Sequence, residues 1–232
     1  MTRTHQAQAS ARFDWAVYSD ATFAGLAVLI PLPLVDTAFE QFFRRRMPRG
    51  IARRNQINLS PRMQLELNRG RLTCRQACLT GPFVMTFWLI KRLSRKILYF
   101  LTVKESSDQL SLYWHRAFLL DYMCKAGYLA DEATAVPAAE ALREILETIT
   151  TSPLNQLARQ VITIPRHILL SLRRVRTGKQ DKDIEATRSL MSQTWDSFHD
   201  YLVALAARYD DTFAAVQRKQ QMLNNHPEKG SS

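Results

Sequence analysis

The densest group of reactive side chains in this sequence is Tyr113-Trp114-His115-Arg116, followed by Asp121 and Tyr122. A histidine beside a carboxylate can move protons. On a helix, however, positions six apart do not share a face, so His115 and Asp121 are not expected to couple. The expectation is a buried histidine whose hydrogen bonds are met inside the core. Cys74 and Cys78, four apart, would share a helix face, and Cys124 with His115 could complete a zinc site. Structural zinc sites combine tight cysteine knuckles in glycine-containing loops. Here there is one pair and no second, so the cysteines read as small buried hydrophobes. Asp196-x-x-His199 resembles half of a carboxylate-bridged metal site, which needs a second such pair on a facing helix. None occurs, and Asp196, His199 and Asp200 read as a solvated face. There is no Gly-x-Ser-x-Gly, no phosphate-cradling glycine loop and no His-Glu-x-x-His. No catalytic residue, metal ligand or cofactor is therefore assigned, and enzyme activity is not expected.

What the sequence offers instead is a concentrated positive field. The formal net charge is +11, and residues 41–104 hold 15 Lys/Arg against the single acid Glu66. The flanking stretches are slightly acidic, with two arginines against four acids before it and 15 Lys/Arg against 16 acids after it. Six of the cations, Arg44, Arg45, Arg46, Arg49, Arg53 and Arg54, fall within eleven residues. Such a field attracts anionic surfaces. The candidates are acidic lipid head groups, nucleic acid phosphates, or the chain's own acidic segments around Glu140, Glu144 and Glu147 and around Asp181, Asp183 and Glu185. The arginines flank a Pro-Arg-Gly step in strongly apolar surroundings, whereas a helix-turn-helix reading helix would be shorter and more polar. Lipid is favoured over nucleic acid.

Composition narrows the architecture. Hydrophobic residues at 46% and charged residues at 23% are ordinary for a globular chain, which excludes wholesale disorder. Seven glycines in 232 residues are too few for a turn-dense β-sandwich or a phosphate loop. Three cysteines are odd and sparse, which suits a reducing cytoplasm better than a disulfide scaffold. The first apolar run, Phe23 to Val35, comes late, after Asp14 and Asp20, and no small-residue cleavage site follows it, so export is not expected.

The elements that would position these groups read as helices throughout. Residues 1–12 read as a disordered N-terminus and 223–232 as a disordered tail, around a single helical domain over 13–222. That domain has a basic, apolar half over 13–104 and a near-neutral half over 105–222. A small-residue helix over 13–30 ends where Pro31 and Pro33 forbid continuation. A second helix starts at 34–36 and runs through Phe39, Phe42 and Phe43 into Arg44-Arg45-Arg46, with Pro48 and Gly50 expected to interrupt it. Together they form an apolar hairpin with a basic exit. Ser60-Pro61 starts a short helix ending at Gly70, and residues 71–79 add a turn or two. A long apolar helix covers 83–104, Ser106-Ser107-Asp108 restarts the pattern, and a helix over 110–126 stops at Gly127. An acidic helix over 137–149 follows Pro137. Ser152-Pro153 starts another, reaching Gly178 with a kink at Pro165. The last helix, 182–221, carries Ile184, Met191, Trp195, Phe198, Leu202, Leu205, Tyr209, Phe213 and Val216 at near-heptad spacing. One face therefore packs along a partner helix, inside the chain or in a second copy.

Neither apolar run is expected to cross a membrane. Phe23 to Val35 is shorter than the ~20 residues a span requires. Phe83 to Val103 has the length but carries Lys91, Arg92, Arg95 and Lys96 at its centre. These cost roughly 10–14 kcal/mol, while its apolar residues return only ~4–8 kcal/mol. The four cations share one arc of the helix, with Leu89, Leu93, Ile97 and Phe100 on another. With Phe87, Trp88 and Phe100 as aromatic anchors, this is the pattern of a helix lying in the membrane interface.

From Ala21 to Arg54 the chain combines small residues (Ala21, Ala24, Gly25, Ala27), the turn Ile30-Pro31-Leu32-Pro33-Leu34-Val35-Asp36, an aromatic helix and the ending Ile51-Ala52-Arg53-Arg54. This stretch resembles the helical hairpin of EcsC-like bacterial proteins and of the membrane-associated helical domains of some bacterial GTPases. The resemblance implies a membrane-associated location rather than an activity. The expectation is an all-α multi-helix bundle with an N-terminal apolar hairpin and a long C-terminal heptad-patterned helix. It would sit peripherally on the inner face of the cell membrane, holding anionic lipid head groups through the arginines at 44–54 and the cations at 91–96. Two alternatives stand beside it. One is a soluble protein–protein adaptor whose basic stretch is covered by acidic helices, with partner or self-association through the 184–216 seam. The other is an integral membrane protein with a re-entrant hairpin.

Overall fold

A computed structural model of the chain describes residues 3–27, 35–69, 95–149, 152–163 and 182–225. They form an all-α multi-helix bundle, with no strand among the described residues. The helices are α1 (Arg3–Ala11), α2 (Trp15–Leu26), α3 (Val35–Arg54), α4 (Pro61–Asn68), α5 (Arg95–Lys125), α6 (Glu132–Thr148), α7 (Leu154–Thr163), α8 (Lys182–Thr194) and α9 (His199–Asn225), with a 3₁₀ turn at Trp195–Phe198.

The bundle is organised around α5. Every residue from Tyr113 to Cys124 is buried, so this helix is enclosed on all sides rather than along one stripe. Helices α1, α2, α3, α6, α7 and α9 all pack against it, α2 most extensively. The closest approach is at Gly25, where a Cβ would lie 2.6 Å from the Cα of Leu110. No side chain can move aside to relieve a contact with backbone, so glycine sets the α2–α5 spacing. Tyr18, Trp114 and Trp195, all fully buried, form an aromatic centre with Phe13 where α1, α2, α5 and the 3₁₀ turn meet. The indole N–H groups find partners there: Trp114 donates to the Thr22 hydroxyl at 3.0 Å and Trp195 to the Ala11 carbonyl at 3.1 Å.

The apolar hairpin is present as α2 packed on α3; its proline turn lies outside the described residues. Asp14 caps α2 by accepting from the Ala16 amide, and Ser60 caps α4 by accepting from Met63, with Pro61 at the first helical position. The C-terminal seam is used inside the chain: Met191, Trp195, Leu202, Leu205, Tyr209, Phe213 and Val216 are buried, and α9 packs on α6 and α1.

Several expected boundaries are corrected. Pro48 and Gly50 do not interrupt α3, which runs unbroken through both. An interior proline costs ~3 kcal/mol, but Phe43, Met47 and Ile51 are all buried by keeping the helix continuous. At ~1.5–3 kcal/mol each, their burial outweighs the proline. Ser106-Ser107-Asp108 does not restart a helix either. Both serines are buried within α5, and Ser107 satisfies its hydroxyl on the Lys104 carbonyl at 2.8 Å instead of capping. Helix α6 begins five residues before Pro137, because Asp131 caps it by accepting from Thr134 at 2.7 Å. The last helix is divided by the 3₁₀ turn, where the Thr194 and Ser197 hydroxyls donate to the carbonyls of Leu190 and Thr194. The N-terminus expected to be disordered contains α1, held by burial of Ala7, Ser10 and Ala11. Helix α9 continues to Asn225, past the expected start of the tail. The helical segments read at 71–79 and 83–94, and the continuation through Pro165 to Gly178, lie outside the described residues.

Replacing Gly25 with alanine should force α2 and α5 apart and destabilise the fold by about 1–3 kcal/mol. A urea titration followed by circular dichroism reads this as a lowered midpoint; an unchanged midpoint would show that the contact does not set the spacing.

Candidate functional site

Helix α3 sorts its side chains sharply. Phe43, Met47, Pro48, Ile51 and Ala52 face the core, while Ala38, Phe42, Arg45, Arg49 and Arg53, spaced by three and four, run down the solvent side with Phe39 and Arg46 flanking them. Phe42 is 57% exposed and Phe39 36%. The outward stripe is thus aromatic at its N-terminal end and cationic at its C-terminal end. Leu65 on α4, which packs on α3, adds a further exposed apolar side chain at 67%.

Acids reach only part of this face. Arg46 pairs with Asp20 at 3.1 Å and Arg54 pairs with Asp14, so both carboxylates come from α2 and its cap, upstream of the arginines. Even so, the Arg46 and Arg54 side chains stay 59% and 51% exposed, where an ion pair contributes little. Arg46 also lies over the Phe43 ring, 5.9 Å from its centroid. Arg49 donates to the Gln64 side chain and Arg44 to the Asn68 carbonyl at 3.4 Å, both uncharged acceptors. Among the described residues no carboxylate pairs with Arg44, Arg45, Arg49 or Arg53, and no acid downstream of the arginines pairs with any of the six. Glu66 is engaged by Arg69 and Arg143 instead. Arg45/Arg49 and Arg49/Arg53 are like-charged neighbours one turn apart, which costs a helix a few tenths of a kcal/mol per pair.

The remaining candidate contacts fall differently. Lys91, Arg92, Phe87 and Trp88 lie outside the described residues; Arg95, Lys96 and Phe100 are in the first two turns of α5. The paired cysteines Cys74 and Cys78 also lie outside, and Cys124 is a buried free thiol whose pKa burial pushes up to about 12. Among the described residues no group of three His, Cys, Asp or Glu side chains could hold a metal, and no helix is long and apolar enough to cross a membrane.

From His115 to Tyr122 the polar side chains of α5 are turned inward and paired. His115 is fully buried; its Nδ1 lies 2.6 Å from the Ser111 carbonyl and must carry the proton, leaving Nε2 to accept from Tyr201 Oη at 2.8 Å and Ser152 Oγ at 3.0 Å. Burial pushes its pKa down to about 4. Asp121 accepts from Asn55 at 3.0 Å and Lys125 at 2.6 Å, and no coupling to His115 is formed, as their spacing implied. Arg116, also buried, has its pKa lowered to about 10, by burial first and the nearby Arg44 second; it donates to the Leu67 carbonyl at 2.8 Å and the Asn68 side chain. Asp210 on α9 accepts from both Tyr122 and Tyr128. Asp196 and Asp200 are exposed and His199 partly so, the solvated face expected.

Set beside family models, curated proteins and solved structures, the chain matches none in any of the three comparisons. The outward face of α3 could have been recognised only in part beforehand. Its arginines are conspicuous, but which of them Asp14 and Asp20 would claim depends on the hairpin's register. The Ser152–His115 contact has no sequence signature, since the two stand 37 residues apart on different elements.

Because His115 is neutral in the fold and its unfolded pKa is ~6.5, the unfolded chain binds an extra proton between about pH 6.5 and 4. Stability should be fully present above pH 6.5 and fall as pH drops through that window, by up to ~3 kcal/mol. Urea midpoints measured across it should decline less steeply in His115→Gln; equal slopes would remove His115 as the cause.

Proposed function

We propose that the protein docks peripherally on anionic membrane surfaces through the outward face of α3, with Phe39 and Phe42 entering the interface and Arg45, Arg49 and Arg53 contacting lipid phosphates. The observation that carries this reading is the exposure of two phenylalanines in line with three arginines that no described carboxylate pairs with. Exposed aromatics beside cations on one helical stripe are what an interfacial helix requires. A face serving only solubility would not hold large apolar side chains in water, nor stack like charges one turn apart. The resemblance of residues 21–54 to EcsC-like hairpins points the same way, and the expected setting is the inner face of the cell membrane. The cations at 91–96 would add to the same attraction. Each cation near an acidic bilayer contributes ~1 kcal/mol, so three supply about two powers of ten in affinity.

The pairing of Arg46 with Asp20 and of Arg54 with Asp14 favours a second reading, a soluble adaptor whose charge is partly neutralised within the fold. The two readings separate on one substitution. Arg49→Glu places an acid one turn from both Arg45 and Arg53, so it should leave the thermal midpoint unchanged or slightly raised. On the docking reading it should weaken co-sedimentation with phosphatidylglycerol-containing vesicles by tenfold or more. Arg45→Glu/Arg49→Glu/Arg53→Glu should abolish binding, and binding of the native chain should fall as salt shortens the Debye length. Phe39→Ser/Phe42→Ser should remove whatever binding survives high salt. Undiminished binding in the triple variant would contradict the docking reading.

A further inference from the structure

A second set of groups converges at the start of α7, away from the α3 face. Ser152 sits just ahead of this helix, its hydroxyl accepting from the Leu154 amide at 3.1 Å and lying 3.0 Å from His115 Nε2. The 2.6 Å contact of His115 Nδ1 with the Ser111 carbonyl holds the ring in the tautomer whose unprotonated Nε2 is shared between the Ser152 and Tyr201 hydroxyls. A recess of about 100 Å³ opens beside Ser152, lined by Asp108, Ser111, Leu112, Ile149 and Asn155. One of its walls carries an independent anomaly: Ser111 is 2% exposed, and its hydroxyl has no hydrogen-bond partner among the described residues. A buried hydroxyl left unpaired costs ~1–3 kcal/mol, which marks this wall as one not built for packing alone.

We propose that Ser152 is a nucleophile activated by His115, and that the recess receives the acyl group of a small neutral ester. In the step, Ser152 Oγ attacks the ester carbonyl and a new Oγ–C bond forms as the bond from carbon to the leaving oxygen breaks. The proton on Oγ passes to His115 Nε2 and then to the departing alkoxide. Water repeats the sequence in reverse, giving its proton to Nε2 and releasing the acid as Oγ recovers a proton. While Nε2 is protonated, the Tyr201 hydroxyl can turn from donor to acceptor and solvate the imidazolium. Negative charge on the tetrahedral oxygen would fall at the N-terminus of α7, where the helix dipole favours it. The Asn155 amide, which spends one hydrogen on Asp108 at 3.2 Å, lies in the same wall. The acyl pocket is small and walled by Leu112 and Ile149, which selects a short chain, and the Asp108 carboxylate in its lining disfavours anionic donors. This serine site is independent of membrane docking.

The test exposes the full-length native chain to a fluorophosphonate probe and to p-nitrophenyl acetate, with the adducts mapped by peptide mass spectrometry. With the fluorophosphonate, Oγ–P forms, fluoride leaves and His115 takes the proton. The expected result is a single adduct on Ser152, absent in Ser152→Ala, and slowed on the order of 100-fold in His115→Gln. Should His115→Gln fail to fold, the chain unfolded in concentrated urea serves as the comparison, since activation depends on the assembled site. An unlabelled Ser152 in the native chain, or labelling equally fast in the comparison, overturns the proposal.

Discussion

The fold depends on the enclosure of α5. A helix buried on every side must be satisfied on every side, and the residues of Tyr113 to Cys124 divide that task between packing and polar anchoring. Trp114 is held by Thr22 of α2, His115 by Tyr201 of α9 and Ser152 ahead of α7, and Arg116 by the end of α4. Asp121 is held by Asn55 beyond α3, and Tyr122 by Asp210 of α9. Together these contacts tie α2, α4, α9 and the segments after α3 and before α7 to the same axis. Losing one would leave a buried polar group without its partner, which costs more than the bond itself contributes. The charged and aromatic side chains of α5 therefore act as fasteners, and the expectation of a satisfied buried histidine holds for the whole series.

That arrangement determines what is left for the surface. Because α5 draws the apolar faces of α2 and α3 inward, and Gly25 lets α2 approach to backbone contact, α3 spends Phe43, Met47 and Ile51 on the core and is left with Phe39, Phe42 and its arginines outside. The two acids of α2 and its cap reach Arg46 and Arg54 and stop there. Arg45, Arg49 and Arg53 keep their charge facing solvent beside exposed aromatics. A stripe of this kind gains from a surface that is anionic at one depth and greasy just below it. The reactive-looking recess beside Ser152 follows from the same core, since the lone pair it uses belongs to a ring that α5 carries and fixes.

Much of the helical pattern was legible in the residues. The seam from Met191 to Val216, the Ser60-Pro61 start and the hairpin all follow from spacing and capping chemistry. The structure departs from the sequence pattern where tertiary burial outweighs a local signal. Pro48 stays helical because three buried side chains on its helix are worth more than one lost hydrogen bond, and Ser107 bonds back to Lys104 because it lies inside the bundle rather than at an end. Helix α1 has no sequence signature because Ala7, Ser10 and Ala11 carry little hydrophobic signal, yet they are small enough to be buried against the bundle. Of the outward face of α3, the charge was legible and the pairing was not. The acids expected to neutralise it lay downstream, whereas those that reach it are Asp14 and Asp20, brought alongside by the antiparallel run of α2 and α3.

On the docking proposal, the Phe39–Phe42–Arg45–Arg49–Arg53 stripe is the surface that meets lipid. The most direct measurement is photo-crosslinking to vesicles of phosphatidylglycerol and phosphatidylcholine in which the anionic lipid carries a diazirine on its acyl chain, with adducts mapped by mass spectrometry. The account predicts that crosslinks centre on residues 38–46, vanish when the anionic lipid is omitted and diminish with added salt. Crosslinks that avoid α3, or that form equally well on neutral vesicles, would contradict it.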